Sequence, residues 1–241
     1  MAVVEGAGVE LSYAETGEGP AAVLVHDLAS DGAALRERVG PLPGRVVAFD
    51  RRGYGASGAP EPYHGTTVEE QAQDLAALIT GLRLAPALVV GDGFGALVAL
   101  DALKRHRGLV RAAVLVDPPL LAFVPEATEV LSAQRLALEE ALRGDGPQAA
   151  VEGWLGGRAT GAALDRARAA HRAFFADFAG MATWPATRRE LRALAAPVIV
   201  LTSETTPAHV VHAAQTVAEL IPGARHETDG DVARAAMVLG A

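Results

Sequence analysis

Leu88-Val89-Val90-Gly91-Asp92-Gly93-Phe94-Gly95-Ala96 joins a short apolar run to three glycines at alternate positions, and a helix-period segment then continues to Arg105. So short a branched aliphatic run, bounded by glycine, predicts a buried strand. The glycines let the chain turn sharply while other backbone comes close. Strand, tight turn and helix in that order form half of a parallel βαβ unit. The same pattern repeats outward. Ala21–His26 and Arg45–Asp50 are predicted buried strands, and Leu75, Leu78, Ile79 and Leu82 mark one face of a helix between Val68 and Leu84. Downstream, Ala113–Val116 is a further strand, closed by Asp117-Pro118-Pro119, where the double proline cannot continue a ladder. Pro197–Leu201 resumes the sheet, Pro207–Leu220 is a helix, and Ala233–Leu239 is a short closing helix.

Between Leu120 and Thr187 the strand pattern stops. Three helical segments rich in Ala, Leu and Arg are expected there, broken at Gly144-Asp145-Gly146-Pro147 and at Gly156-Gly157. The expected architecture is therefore α/β: a mostly parallel sheet with flanking helices, core 1–119 and 188–241, and a helical cap 120–187 inserted between two strands. The chain has 241 residues, half of them hydrophobic, which suits one large α/β domain. A net charge of -8 argues against nucleic acid or an anionic membrane surface as partner. No apolar run approaches the ~20 residues of a membrane helix, and the first residues lack the basic and apolar regions of a secretion signal, so a cytoplasmic protein is expected. With no cysteine there is no disulfide, thiolate ligand or cysteine nucleophile. His209 and His212 stand three apart without a third ligand nearby, so no metal site is expected.

Three segments carry a resemblance. Asp50-Arg51-Arg52-Gly53-Tyr54-Gly55-Ala56-Ser57 is similar to the D-x-R-G-x-G-x-S loop of α/β-hydrolases. Gly91-Asp92-Gly93-Phe94-Gly95 resembles the nucleophile elbow G-x-S-x-G of that superfamily, and His26-Asp27-Leu28 its His-Gly-x turn. The resemblance implies the α/β-hydrolase fold and an oxyanion hole made by the backbone amides of Leu28 and Phe94. It also implies a pocket between cap and sheet, near His26, Asp92, Gly93, Phe123, Trp154, Trp184 and Thr206. Within this pattern the elbow position is Gly93, which has no oxygen or sulfur to attack with. Thr206, in Ser203-Glu204-Thr205-Thr206-Pro207, stands where the resemblance places the acid. The usual histidine loop is shortened to Ala224–Asp231, with His226 falling in the last strand as a structural residue.

Hydrolysis by the serine route is therefore not expected. Asp27 stands at the glycine of the His-Gly-x turn; it is open to reading as a turn residue or as a carboxylate working in a dry pocket, and so is Asp92. The chemistry first expected is non-hydrolytic and free of metal or coenzyme: epimerisation of an activated carbon in a modified peptide, with substrate assistance, as in bottromycin-type peptide epimerases. Its partner would be a small-molecule or modified-peptide substrate. One alternative is a ligand-binding protein on an inactive hydrolase scaffold. Another is a dinucleotide-binding oxidoreductase, since Gly91–Ala96 fits G-x-G-x-x-A and Asp117 ends the next strand.

Overall fold

In the computed structural model, which describes residues 2–240, β5 (Ala87–Asp92) runs through Gly93 into α3 (Phe94–Arg105) at the centre of the sheet. β5 lies between β3 (Ala21–Val25) and β6 (Val110–Val116), parallel to both. Beyond β3 come β4 (Arg45–Phe49), then β2 (Glu10–Thr16) and β1 (Ala2–Glu5), which are antiparallel. Beyond β6 come β7 (Val198–Thr202) and β8 (Arg225–Thr228), giving the order β1-β2-β4-β3-β5-β6-β7-β8.

Alternate residues of each strand face opposite sides. Val23, Val25, Val89 and Leu115 pack with α2 (Val68–Gly81), α3 and α9 (Ala208–Leu220). Ala22, Leu24, Val90 and Val114 pack with α1 (Gly32–Val39) and α10 (Val232–Val238). Both faces are covered, which is why the central strands read as unbroken apolar runs. α3 can approach the sheet because Gly95 has no side chain: a Cβ there would lie 2.7 Å from the Val25 carbonyl carbon.

β1, β2 and α1 carry no clear periodic signal. Three of the four β1 residues are exposed, and α1 is Gly-Ala-Ala-Leu-Arg-Glu-Arg-Val, with two inward aliphatics, Leu35 and Val39. The segment after β6 holds a 3₁₀ turn (Leu121–Phe123) and four helices rather than three: α4 (Ala127–Gly144), α5 (Gly146–Leu155), α6 (Gly161–Ala169) and α7 (His171–Thr183). The extra break falls at Ala170, with no glycine or proline to announce it. α8 (Arg188–Arg192) leads back to β7, started by a capping box between Thr187 and Glu190. Among the described residues no helix is long and apolar enough to cross a membrane.

β3 connects toward one edge of the sheet and β5 toward the other, so their junction is the topological switch point, where a crevice opens beyond the strand ends.

Candidate active site

Strand register alone brings three aspartates together. Val25 pairs with Gly91 across β3 and β5, so Asp27 and Gly93, each two residues further on, come out side by side. Asp92 pairs with Val116 across β5 and β6, which sets Asp117 beside Gly93. Gly93 N–H donates to the Val116 carbonyl (2.9 Å) and Asp117 N–H to that of Leu201 (2.9 Å). Asp117 turns out of the strand at φ +46°, an aspartate-tolerated left-handed conformation.

Gly93 adopts φ +51° and ψ −116°, the strained geometry of a strand-to-helix elbow. A Cβ built on it would fall on the Asp27 carboxylate. The space an elbow side chain would claim is thus taken by a carboxylate reaching over from the end of β3. Phe94 N–H, the first amide of α3, donates to Asp27 Oδ1 at 2.7 Å. An unpaired amide at a helix N-terminus favours such an anion.

Asp92 pairs with Arg38 of α1, and Thr206 Oγ1 donates to Asp117 Oδ1 at 2.7 Å. Burial raises the Asp92 pKa from 3.8 to about 6; Arg38 opposes the rise and the Asp27 charge adds to it. Burial also raises Asp117, with the Thr206 hydroxyl opposing. Above these groups lies a cavity of about 510 Å³. Its floor includes Asp27, Leu28, Asp92, Gly93 and Asp117, and its walls include Leu121, Trp154 and Met181. The Trp154 ring is braced edge-on by Phe174 (5.6 Å) and Phe178 (5.4 Å).

Of the residues singled out from sequence, Asp27, Leu28, Asp92, Gly93, Trp154 and Thr206 line this cavity. Phe94 contributes its amide, while its ring is fully buried against the Arg51 guanidinium, 4.6 Å from the ring centre. His26, Phe123 and Trp184 lie elsewhere. His26 is buried beneath Asp27, Phe123 lies under Arg188, and Trp184 donates to Asp101 (3.0 Å). His226 is in β8, its Nε2 2.9 Å from Thr202 Oγ1. Sequence reading missed Arg38, Arg158 and His209 as cavity residues, and took Asp117 as a strand end and as the acidic residue of the dinucleotide pattern. Asp117 had a usable signal, being the first residue beyond a central strand. Arg38 had none, because α1 was not visible.

A switch-point crevice, a glycine-rich elbow and an amide-bound anion together define the class of protein. The Alpha/beta hydrolase family pattern matches residues 22–235, and the chain belongs to that family. It is 31% identical over 153 residues to 2-(acetamidomethylene)succinate hydrolase of Mesorhizobium japonicum, covering 62% of this chain and 52% of that protein. To bifunctional epoxide hydrolase 2 of Sus scrofa it is 28% identical over 124 residues, 50% of this chain and 22% of that one. The matched stretch thus spans about half of the first relative and less of the second. An alpha/beta hydrolase from Sphaerobacter thermophilus superposes with TM-score 0.75 over 100% of both chains at 25% identity.

These likenesses overturn the first expectation. Relatives named as hydrolases point to hydrolysis in place of the non-hydrolytic peptide epimerase. The dinucleotide alternative fails on geometry as well. Phe94 N–H, which a pyrophosphate would need, already holds the Asp27 carboxylate, and Asp92 and Asp117 would repel the phosphates.

Proposed function

We propose that this protein is a hydrolase in which Asp27, rather than an elbow side chain, is the nucleophile, acting on a small uncharged molecule with an oxygen leaving group on a saturated carbon, such as an epoxide. The observation that carries this is the Asp27 carboxylate lying over Gly93 with Oδ1 on the Phe94 amide. An acyl ester would need its own carbonyl oxygen on that amide, where the carboxylate already sits. Attack by Oδ2 on a saturated carbon leaves Oδ1 in place.

In the first step an Asp27 oxygen–carbon bond forms and the carbon–oxygen bond to the leaving group breaks. The departing oxygen takes a proton from Asp92. The resulting aspartyl ester already has its carbonyl oxygen on the Phe94 amide, which stabilises the oxyanion formed when water attacks the ester carbon. Asp117, oriented by Thr206, accepts the proton of that water. The ester bond breaks, the departing alkoxide takes the proton held by Asp117 and leaves as the alcohol, and the proton left on the new Asp27 carboxylic acid passes to Asp92, which restores all three groups. The cavity size suits a small molecule, and three carboxylates facing Arg38 and Arg158 disfavour an anionic one.

Single-turnover hydrolysis of styrene oxide in 18O-labelled water, with enzyme in excess, tests this. The first diol should carry no label, and one labelled oxygen should appear in the peptide containing Asp27. Label in the first product means that water attacks the substrate directly, and the nucleophile assignment is then wrong.

Asp92 adds a pH dependence. Its carboxyl must be protonated for the first step, so kcat/KM should fall about tenfold per unit above about pH 6. Asp92→Asn should remove that inflection. For stability, the folded pKa lies above the unfolded value, so the folded state holds the extra proton. Stability from this group is therefore present at low pH and is lost as pH rises from 3.8 to about 6. Urea melts at pH 4.5 and 7 compared between the native protein and Asp92→Asn check the sign.

A further inference from the structure

A second group of polar side chains lies directly beneath Asp27, away from the reacting atoms. His26, Arg51, Tyr54, Gln71 and Asp177 are each no more than 2% exposed, so their charges and dipoles must be satisfied by one another. Asp177, on α7, accepts from Arg51 Nη1 (2.6 Å), Tyr54 Oη (2.9 Å) and Gln71 Nε2 (2.5 Å). The guanidinium is held edge and face, its centre 4.7 Å from the Tyr54 ring and 4.6 Å from that of Phe94.

The rest of the guanidinium grips the chain leaving β3. Arg51 Nε donates to the His26 carbonyl (2.9 Å) and Nη2 to the Asp27 carbonyl (3.2 Å). The Arg51 backbone N–H donates to His26 Nε2 (3.0 Å), so that nitrogen is an acceptor. His26 Nδ1 then carries the proton and donates to the Asp27 carbonyl at 2.8 Å. Burial, reinforced by the Arg51 charge, holds the His26 pKa well below its usual value, so this neutral tautomer persists at physiological pH.

Two donors therefore pin the carbonyl of the Asp27–Leu28 peptide from below. That peptide is trans, so its N–H points opposite to its C=O, and Leu28 is among the residues that line the cavity. We propose that Arg51, anchored by Asp177 of α7, is a positioning residue that sets the placement of Asp27 and the direction of the Leu28 N–H and ties both to the seating of that helix. Its kinetic consequence rests on the Asp27 nucleophile reading; its structural consequence does not.

Were the cluster only structural, replacing it would lower stability but leave the Leu28 amide and turnover as they are. The double variant Arg51→Met/Asp177→Leu separates the two roles. Three results are expected: a folded protein with a lowered melting temperature, because Tyr54 Oη and Gln71 Nε2 lose their acceptor, a displaced 1H–15N resonance of Leu28, and kcat on styrene oxide lower by about 10–100-fold with KM nearly unchanged. An unmoved Leu28 resonance with native kcat overturns the proposal. If the double variant does not fold, Arg51→Lys decides, because lysine keeps the charge beside Asp177 but cannot bridge to both carbonyls. It should shift Leu28 and lower kcat in the same way, and native values for both would again overturn the proposal. A shifted Leu28 in a protein whose Asp27→Asn variant keeps full turnover would sink the nucleophile assignment while leaving the positioning role standing.

Discussion

Asp27→Asn should lower kcat on styrene oxide by at least about 10³-fold, the scale on which removal of a nucleophile is felt. The substitution keeps size and shape, and the asparagine Oδ1 can still accept from Phe94 N–H, so the elbow has no reason to rearrange. What disappears is the negative oxygen that attacks carbon. The two roles open to this residue therefore part company. A turn-forming aspartate would tolerate asparagine, since both favour such turns, and kcat would hardly change. A nucleophile would not tolerate it. The melting temperature should stay close to that of the native protein, because the hydrogen bond to Phe94 survives, although a charged acceptor makes the stronger bond. Native turnover by a freshly purified Asp27→Asn protein, checked by mass for conversion back to aspartate, would end the proposal.

The fold was far more legible than the site, and the reason is physical. β3, β4, β5 and β6 are buried on both faces, so each announces itself by a run of three or more consecutive apolar residues. α2 shows its inward stripe of Leu75, Leu78 and Ile79. β1 and β2 form an edge that is mostly exposed, and α1 has only Leu35 and Val39 to mark its inner face, so neither pattern rises above its surroundings. At the site, Gly93 showed what was missing from the elbow. What takes that place depends on where β3 ends relative to β5. One residue of slippage would carry Asp27 away from the elbow, and the pairing of Val25 with Gly91 is a tertiary fact. Asp27 was visible as a departure from His-Gly-x, but its carboxylate above Gly93 was not. Arg51 was quoted only as a variable position of the loop motif. Its partner Asp177 lies 126 residues away on α7, beyond any local pattern.

Gly93→Ser is expected to damage the enzyme although it restores the elbow sequence of serine hydrolases. A side chain at φ +51° and ψ −116° costs about 1–3 kcal/mol in backbone strain. In a chain of 241 residues that is a fall in melting temperature of about 2–4 °C per kcal/mol. The larger effect is local. The new Cβ falls on the Asp27 carboxylate, which must leave the Phe94 amide to make room. Turnover of styrene oxide should then drop by about 10²-fold or more, the scale on which misplacing a reacting group is felt. The added hydroxyl brings nothing to offset this. The His226 ring, in β8, is engaged with Thr202 of β7, and the Thr206 hydroxyl is given to Asp117. A serine with only carboxylates and no imidazole to take its proton stays protonated and unreactive, so a fluorophosphonate should not label it. Gly93→Ala is the discriminating partner, since it introduces the same Cβ without the oxygen. Equal losses in the alanine and serine variants identify displacement of Asp27 as the cause. Native activity in Gly93→Ala would mean that the carboxylate can work from elsewhere, and Asp27 would no longer need the space that this glycine leaves open.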